Sequence, residues 1–245
     1  MPVAALAFAV TGCGDGGDDT LTVSAASSLK TALTRYGGEF EEAKARFSFA
    51  GSDELAAQIR KGARSDVFAS ANTKLPDELY AEDLVENPVT FAGNRLVLAV
   101  PADAGAGVTS LRDLQRSGTT IAIGSESVPI GAYTRTVLSK LPESDSSAIL
   151  RNVRTEEPDV AGIVGKLTQG AVDAGFVYVS DVRATDGKLK AIELPESLQP
   201  TVAYGVAIVK GTKHEEAAKA FVDGLLDGDG QQALEAAGFE PPPAQ

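Results

Sequence analysis

Histidine and cysteine are nearly missing: the 245 residues hold one of each, and tryptophan is absent. One cysteine excludes an internal disulfide, and one histidine excludes histidine-built metal sites and most His-dependent catalysis. Basic residues are also scarce, 22 against 34 acidic ones, for a formal charge of −12. With no basic cluster, nucleic acid is not an expected partner. The apolar run at residues 2–10 is far short of the roughly 20 residues a membrane-spanning helix needs. What is present is an ordinary globular composition, 43% hydrophobic and 23% charged. That suits one large α/β domain or two smaller lobes.

The run Pro2-Val-Ala-Ala-Leu-Ala-Phe-Ala-Val10 fits the apolar core of an export signal, although no Lys or Arg precedes it. The missing basic flank suggests that the true start lies upstream. Val10-Thr11-Gly12-Cys13 resembles a bacterial lipobox, in which small residues admit a signal peptidase and the Cys is acylated. Gly14-Asp-Gly-Gly-Asp-Asp19 then reads as a tether. The expectation is a lipoprotein with signal and tether at 1–19, exported and lipid-anchored through Cys13.

The mature chain is organised around Thr22-Val-Ser-Ala-Ala-Ser-Ser-Leu-Lys-Thr-Ala-Leu33. Residues 22–26 read as the end of a buried strand, and Ser27 or Ser28 as the cap of a helix running to about 42–44. A strand entering a helix N-terminus offers free N–H groups, hydroxyls and the positive end of a helix dipole. This makes an anion seat without a charged side chain. Taken alone the stretch is an ordinary Ser-capped helix, but the construction recurs. A strand at 46–50 leads through Gly51 to Ser52, the expected cap of a second helix. A strand at 120–123 leads to Val128-Pro-Ile130, with Pro129 suited to a helix first turn. A strand expected at 149–153 leads to Asp159-Val160, with Asp159 as cap.

Further strands are expected at 66–71, 94–100, 175–180 and 203–209. Helices are expected at 75–84 and around 133–141, and Thr212 with Glu215 forms a capping box for a helix at 216–226. A last helix covers 230–237. Strands alternating with helical patterns imply parallel βαβ units, whose ligands sit beyond the C-terminal strand ends.

These stretches, with Gln58-Ile59, Gly62-Ala63, Asp66-Val-Phe-Ala-Ser70, Gly93-Asn94 and Val177-Tyr-Val-Ser-Asp181, resemble one family in their order and spacing. The chain resembles the periplasmic molybdate-binding proteins of ABC importers, a branch of the type II solute-binding proteins, over roughly residues 20–240. The resemblance implies an α/β fold of two lobes, each a mostly parallel sheet flanked by helices, with the ligand in the interlobe cleft. Lobe 1 would comprise 20–92 and 205–245, lobe 2 would comprise 93–204, and hinges would lie near 92–95 and 201–204. It also implies an oxyanion held by the hydroxyls of Ser28, Ser52 and Tyr178 and by the backbone N–H groups of Ile130 and Val160. Molybdate, with tungstate beside it, would be held through its oxygens, with no direct metal ligand and no cofactor. The partner would be an ABC permease, and the protein an extracytoplasmic monomer rather than an enzyme. Two positions depart from the family: Ile130 stands where Ala is common, and Gly51 where a further Ser is common.

An acceptor-only dianion suits a site made only of donors, whereas phosphate would need an acceptor for its proton. Sulfate satisfies the same donors, so rejecting it would rest on cavity size. Sulfate, phosphate or ferric iron on the same fold is the alternative. Iron carriers of this fold lean on paired tyrosines, and here only Tyr178 is placed at the site, while Tyr36, Tyr80, Tyr133 and Tyr204 read as packing or surface residues. A hydrolase would need a base, but His214 reads as a solvated helix start. The Ala161-Gly-Ile-Val-Gly-Lys166 stretch has the wrong spacing for a phosphate loop. An adhesive lipoprotein with an empty cleft is the remaining rival.

Overall fold

A computed structural model describes residues 20–103 and 107–244, so the expected signal, tether and Cys13 lie outside the described residues. The chain opens with strands β1 (Thr20–Ala26), β2 (Lys44–Ala50), β3 (Val67–Ser70) and β4 (Val89–Asn94). Helices α1 (Lys30–Glu39), α2 (Ser52–Arg60) and α3 (Lys74–Ala81) connect them. The second stretch carries β5 (Leu96–Pro101), β6 (Ile121–Gly124), β7 (Val153–Glu157), β8 (Ala174–Tyr178) and β9 (Leu189–Glu193). Its helices are α4 (Pro129–Ser139), α5 (Glu143–Arg151), α6 (Val160–Thr168) and α7 (Val179–Arg183). Strand β10 (Val202–Ile208) and helices α8 (Glu215–Leu226) and α9 (Asp229–Ala237) follow.

Two five-stranded sheets result, ordered β2-β1-β3-β10-β4 and β7-β6-β8-β5-β9. In each, three strands are parallel and an antiparallel strand lies beside them. The chain leaves the first sheet between Asn94 and Leu96 and returns to it at β10, whose Val202 and Ala203 pair with Asn94 and Gly93. Pairing therefore puts 93–94 and 202–204 in the first sheet. Gly93 and Glu240 exchange backbone hydrogen bonds of 2.7 and 2.9 Å, which ties the C-terminal segment across this crossing.

The central strands β1, β3, β5, β6 and β8 are buried almost throughout, as continuous apolar runs in covered parallel sheets are. Apolar side chains of both sheets merge into one core, and Leu55, Ile59, Phe68, Leu79 and Val85 form a smaller cluster under α2 and α3. Because β1, β2, β6 and β7 each run into a turn and a helix start, their C-terminal ends gather those starts at one place.

Several local expectations change. The helix after β1 opens with a 3-10 turn at Ser27–Leu29, and neither serine caps it. It ends at Glu39, before the expected 42–44. Ser52 lies inside α2, whose N-cap is Gly51, because its hydroxyl is engaged elsewhere. Residues 149–151 are helical, not a strand: Pro142 starts α5, Glu143 and Asp145 occupy its first turn, and Ile149 is its buried anchor. The strand comes later, at 153–157, an edge strand whose charges blunt further pairing. Strand β9 has the same edge position and charged character, and its pattern gave no signal. Thr212 does not cap α8; its hydroxyl donates to Asp66. His214 is a half-buried position rather than a free surface one, and its Nδ1 lies 3.2 Å from the largely buried Asp66 carboxylate.

Candidate anion-binding site

Ser28, Ser52, Ile130, Val160 and Tyr178 line one cavity. Its wall is completed by small or apolar groups, among them Ala26, Gly51, Ala71, Val128 and Pro129, and by Asp159. Even counted generously the space is about 220 Å³, below the roughly 300–1,000 Å³ of clefts that take drug-sized molecules. Among the described residues no Lys or Arg lines it. Elements of the first sheet supply Ser28 and Ser52, and elements of the second supply Ile130, Val160 and Tyr178.

Ser52, Tyr178 and the backbone N–H groups of Ile130 and Val160 each have a donor to spare. Ser52 Oγ accepts the backbone N–H of Ala71 at 3.1 Å, which leaves its own proton to give. Ser28 Oγ lies 3.0 Å from the Tyr204 hydroxyl. Tyr178 is buried to 1% exposure, and its hydroxyl has no partner. A buried orphan hydroxyl costs about 1–3 kcal/mol, so it is a stored cost that an acceptor in the cavity removes. Burial, with Tyr204, Tyr133 and Asp181 nearby, holds the Tyr178 phenol well above its ordinary value, so it stays a donor. Ile130 and Val160 are first-turn residues of α4 and α6, where backbone N–H groups have no intrahelical acceptor.

Local sequence explains the helix starts. Pro129 occupies the first position of α4, where its missing N–H costs nothing. The Asp159 carboxylate accepts the Gly162 N–H at 2.9 Å and caps α6. With the start of α2, these ends direct partial positive charge at the cavity. The bulk of Ile130 is absorbed by Gly124: a Cβ there would stand 2.6 Å from Ile130 Cγ2. Gly51 is explained likewise, since a Cβ would lie 2.5 Å from the Pro158 carbonyl, which belongs to the opposite half. The residue at 51 must be bare for the two halves to approach this closely.

Three neighbours escaped sequence reasoning. Tyr204 is fully buried, with its ring centroid 5.9 Å from that of Tyr178 and its hydroxyl on Ser28. Asn94 Nδ2 donates to Ser180 Oγ at 2.9 Å. Asp181 accepts the Tyr178 backbone N–H at 2.9 Å. Burial pushes its carboxyl up to about 7, with that N–H opposing the rise and Asp159 adding to it. An isolated Tyr or Asn at a strand end carries no sign of such contacts; only the Asn94 position beside the crossing hinted at one.

Two sheets exchanging the chain twice, with a donor-lined cavity between them, define a type II solute-binding protein. The chain belongs to the bacterial extracellular solute-binding protein family, whose model matches residues 21–240. It is 34% identical over 231 residues to the molybdate-binding protein ModA of Mycobacterium tuberculosis, covering 92% of this chain and 86% of that one. ModA of Escherichia coli is 34% identical over 248 aligned positions, 95% of this chain and 92% of that one. The periplasmic molybdate-binding protein of Azotobacter vinelandii is similar in structure with a TM-score of 0.81 at 25% identity, over 91% of this chain and all of that one.

Proposed function

We propose that this chain is an extracytoplasmic carrier that captures molybdate, and tungstate with it, and delivers the ion to an ABC permease. In this reading it is a monomer held at the membrane by a lipid on Cys13 and needs no cofactor. The observation that carries the reading is the orphan hydroxyl of Tyr178, buried at a cavity where Ser28 and Ser52 add hydroxyls and the one carboxylate, Asp159, accepts the Gly162 N–H as a helix cap. A tetrahedral metal oxide has acceptor oxygens only, so every donor finds a partner and none faces a proton. Hydrogen bonds to an ionised partner contribute roughly 1.5–3 kcal/mol each. Neutral donors also avoid burying a side-chain cation, which costs several kcal/mol.

Ser28 and Ser52 on one half, and Ile130, Val160 and Tyr178 on the other, would be bridged by the ion. Binding would thereby favour the closed form, and that form would be what the permease reads. In this reading the ion leaves unchanged.

A ferric ligand is less well supported. Tyr204 does stand beside Tyr178, so the tyrosines are paired after all, but its hydroxyl is engaged by Ser28. Among the described residues no group of three or more His, Cys, Asp or Glu is placed to hold a metal.

Titration calorimetry with molybdate, tungstate, sulfate and phosphate tests the reading. Heat with the two group 6 oxides is expected, and a response to sulfate or phosphate alone would overturn it.

A further inference from the structure

Tyr204 does not line the cavity, yet its hydroxyl is the sole side-chain partner of Ser28 recorded in the structure. Two hydroxyls at 3.0 Å can share their bond in either sense, and the sense decides what Ser28 offers to a ligand. If Ser28 gives its proton to the phenol, it meets a ligand as an acceptor. If it receives the phenol's proton, it meets a ligand as a donor.

Burial removes the ambiguity. Tyr204 is fully buried, and Ser28 Oγ is the hydrogen-bond partner recorded for its hydroxyl, whereas Ser28 also faces the cavity and can turn its own proton there. An unplaced buried hydroxyl proton is costly, so the phenol gives its proton to Ser28.

We propose that Tyr204 is a positioning and specificity residue: it feeds a proton to Ser28 and so makes Ser28 an obligate donor toward the bound oxyanion. The chain Tyr204 to Ser28 to ligand runs in one direction, and each bond polarises the next. The consequence is selection between acceptor-only dianions and dianions that carry a proton. A hydrogen arsenate or hydrogen phosphate must place its own O–H against an acceptor, and Ser28 is barred from serving as one.

The proposal rests on the oxyanion reading above. Its test is calorimetry on wild-type protein, Y204F, S28A and the double variant, with molybdate as the direct ligand. Selenate and hydrogen arsenate at pH 8 serve as competitors, being dianions that differ by one proton. Y204F keeps the ring and is expected to lower molybdate affinity roughly tenfold, the worth of one hydrogen bond. It is also expected to narrow the preference for selenate over hydrogen arsenate. In the S28A background, Y204F should have no further effect on molybdate.

An equal loss from Y204F with or without Ser28, or an unchanged selenate preference, overturns the proposal. Absence of molybdate binding by the wild type overturns the functional reading instead. If Y204F fails to fold, S28A read alone tests the same bond from its other end: with the donor gone the preference for selenate over hydrogen arsenate should shrink, and a preference unaltered in S28A overturns the proposal.

Discussion

At the residue scale, the cavity is built of groups whose protein partners are few and leave them facing the cavity. Ser52 has its oxygen occupied by Ala71, Ser28 faces Tyr204, and Tyr178 has no partner at all. The last point gives a prediction with opposed signs. Tyr178→Phe removes an orphan buried hydroxyl, so the ligand-free protein should melt no lower than wild type, or higher by the equivalent of about 1 kcal/mol. The same change should weaken molybdate binding by roughly tenfold or more, as a charge-assisted bond is lost. Scanning calorimetry and titration on one preparation check both halves.

Asp181 gives the second prediction. Its carboxyl is raised from 3.8 to about 7 in the fold. Between these values the folded chain binds a proton that the unfolded chain does not, so this group's contribution to stability falls as pH rises from about 4 to 7 and is flat above. Asp181→Asn should remove that slope; a melting series showing the same slope in both proteins would contradict it.

At the element scale, the repeated arrangement is a strand delivering its chain to a helix start, with the halves facing each other across the cavity. Gly51 and the turn at Pro158 mark how near those starts come. Gly51→Ala should prop them apart, because its Cβ would meet a backbone carbonyl of the other half, which cannot swing aside as a side chain can. Molybdate affinity should fall at least tenfold with little change in ligand-free melting, and X-ray scattering should find the liganded variant more extended than liganded wild type.

The helix starts themselves were legible: Val128-Pro129 and Pro158-Asp159 are local signals, and α4 and α6 begin there. Strand β7 was misread because Ile149, an apolar residue that anchors α5, looks the same in a sequence as a strand residue. Ser52 was misread as a cap because its true partner, the Ala71 N–H, lies 19 residues away.

At the scale of the whole molecule, the net charge of −12 opposes the approach of a dianion, while the helix starts at the cavity would hold it locally in the proposed reading. Salt screens the first effect more than the second, since the site is enclosed. Stopped-flow measurements should therefore show the association rate for molybdate rising with ionic strength while the dissociation rate stays nearly constant. Bridging of the halves also predicts thermal stabilisation by ligand, about 2.7 kcal/mol at a hundredfold excess over the dissociation constant. A thermal-shift series that saturates far below this, with affinity known, would show that the ion does not select the folded state.

What the sequence by itself determined is local. Strand runs, Pro129 at a first turn, Asp159 as a cap, and hydroxyls and free N–H groups at strand ends all follow from short-range chemistry. They pointed to an α/β fold with anion seats at strand ends, while the set Ser28, Ser52, Ile130, Val160 and Tyr178 came from the family resemblance. The tertiary structure alone decided which way the protons point. Tyr204, Asn94 and Gly51 take their meaning from contacts with Ser28, Ser180 and Pro158, up to 176 residues away in the chain. A hydrogen-bond direction depends on what lies behind both oxygens, and for these groups that is settled only once the second sheet has folded against the first.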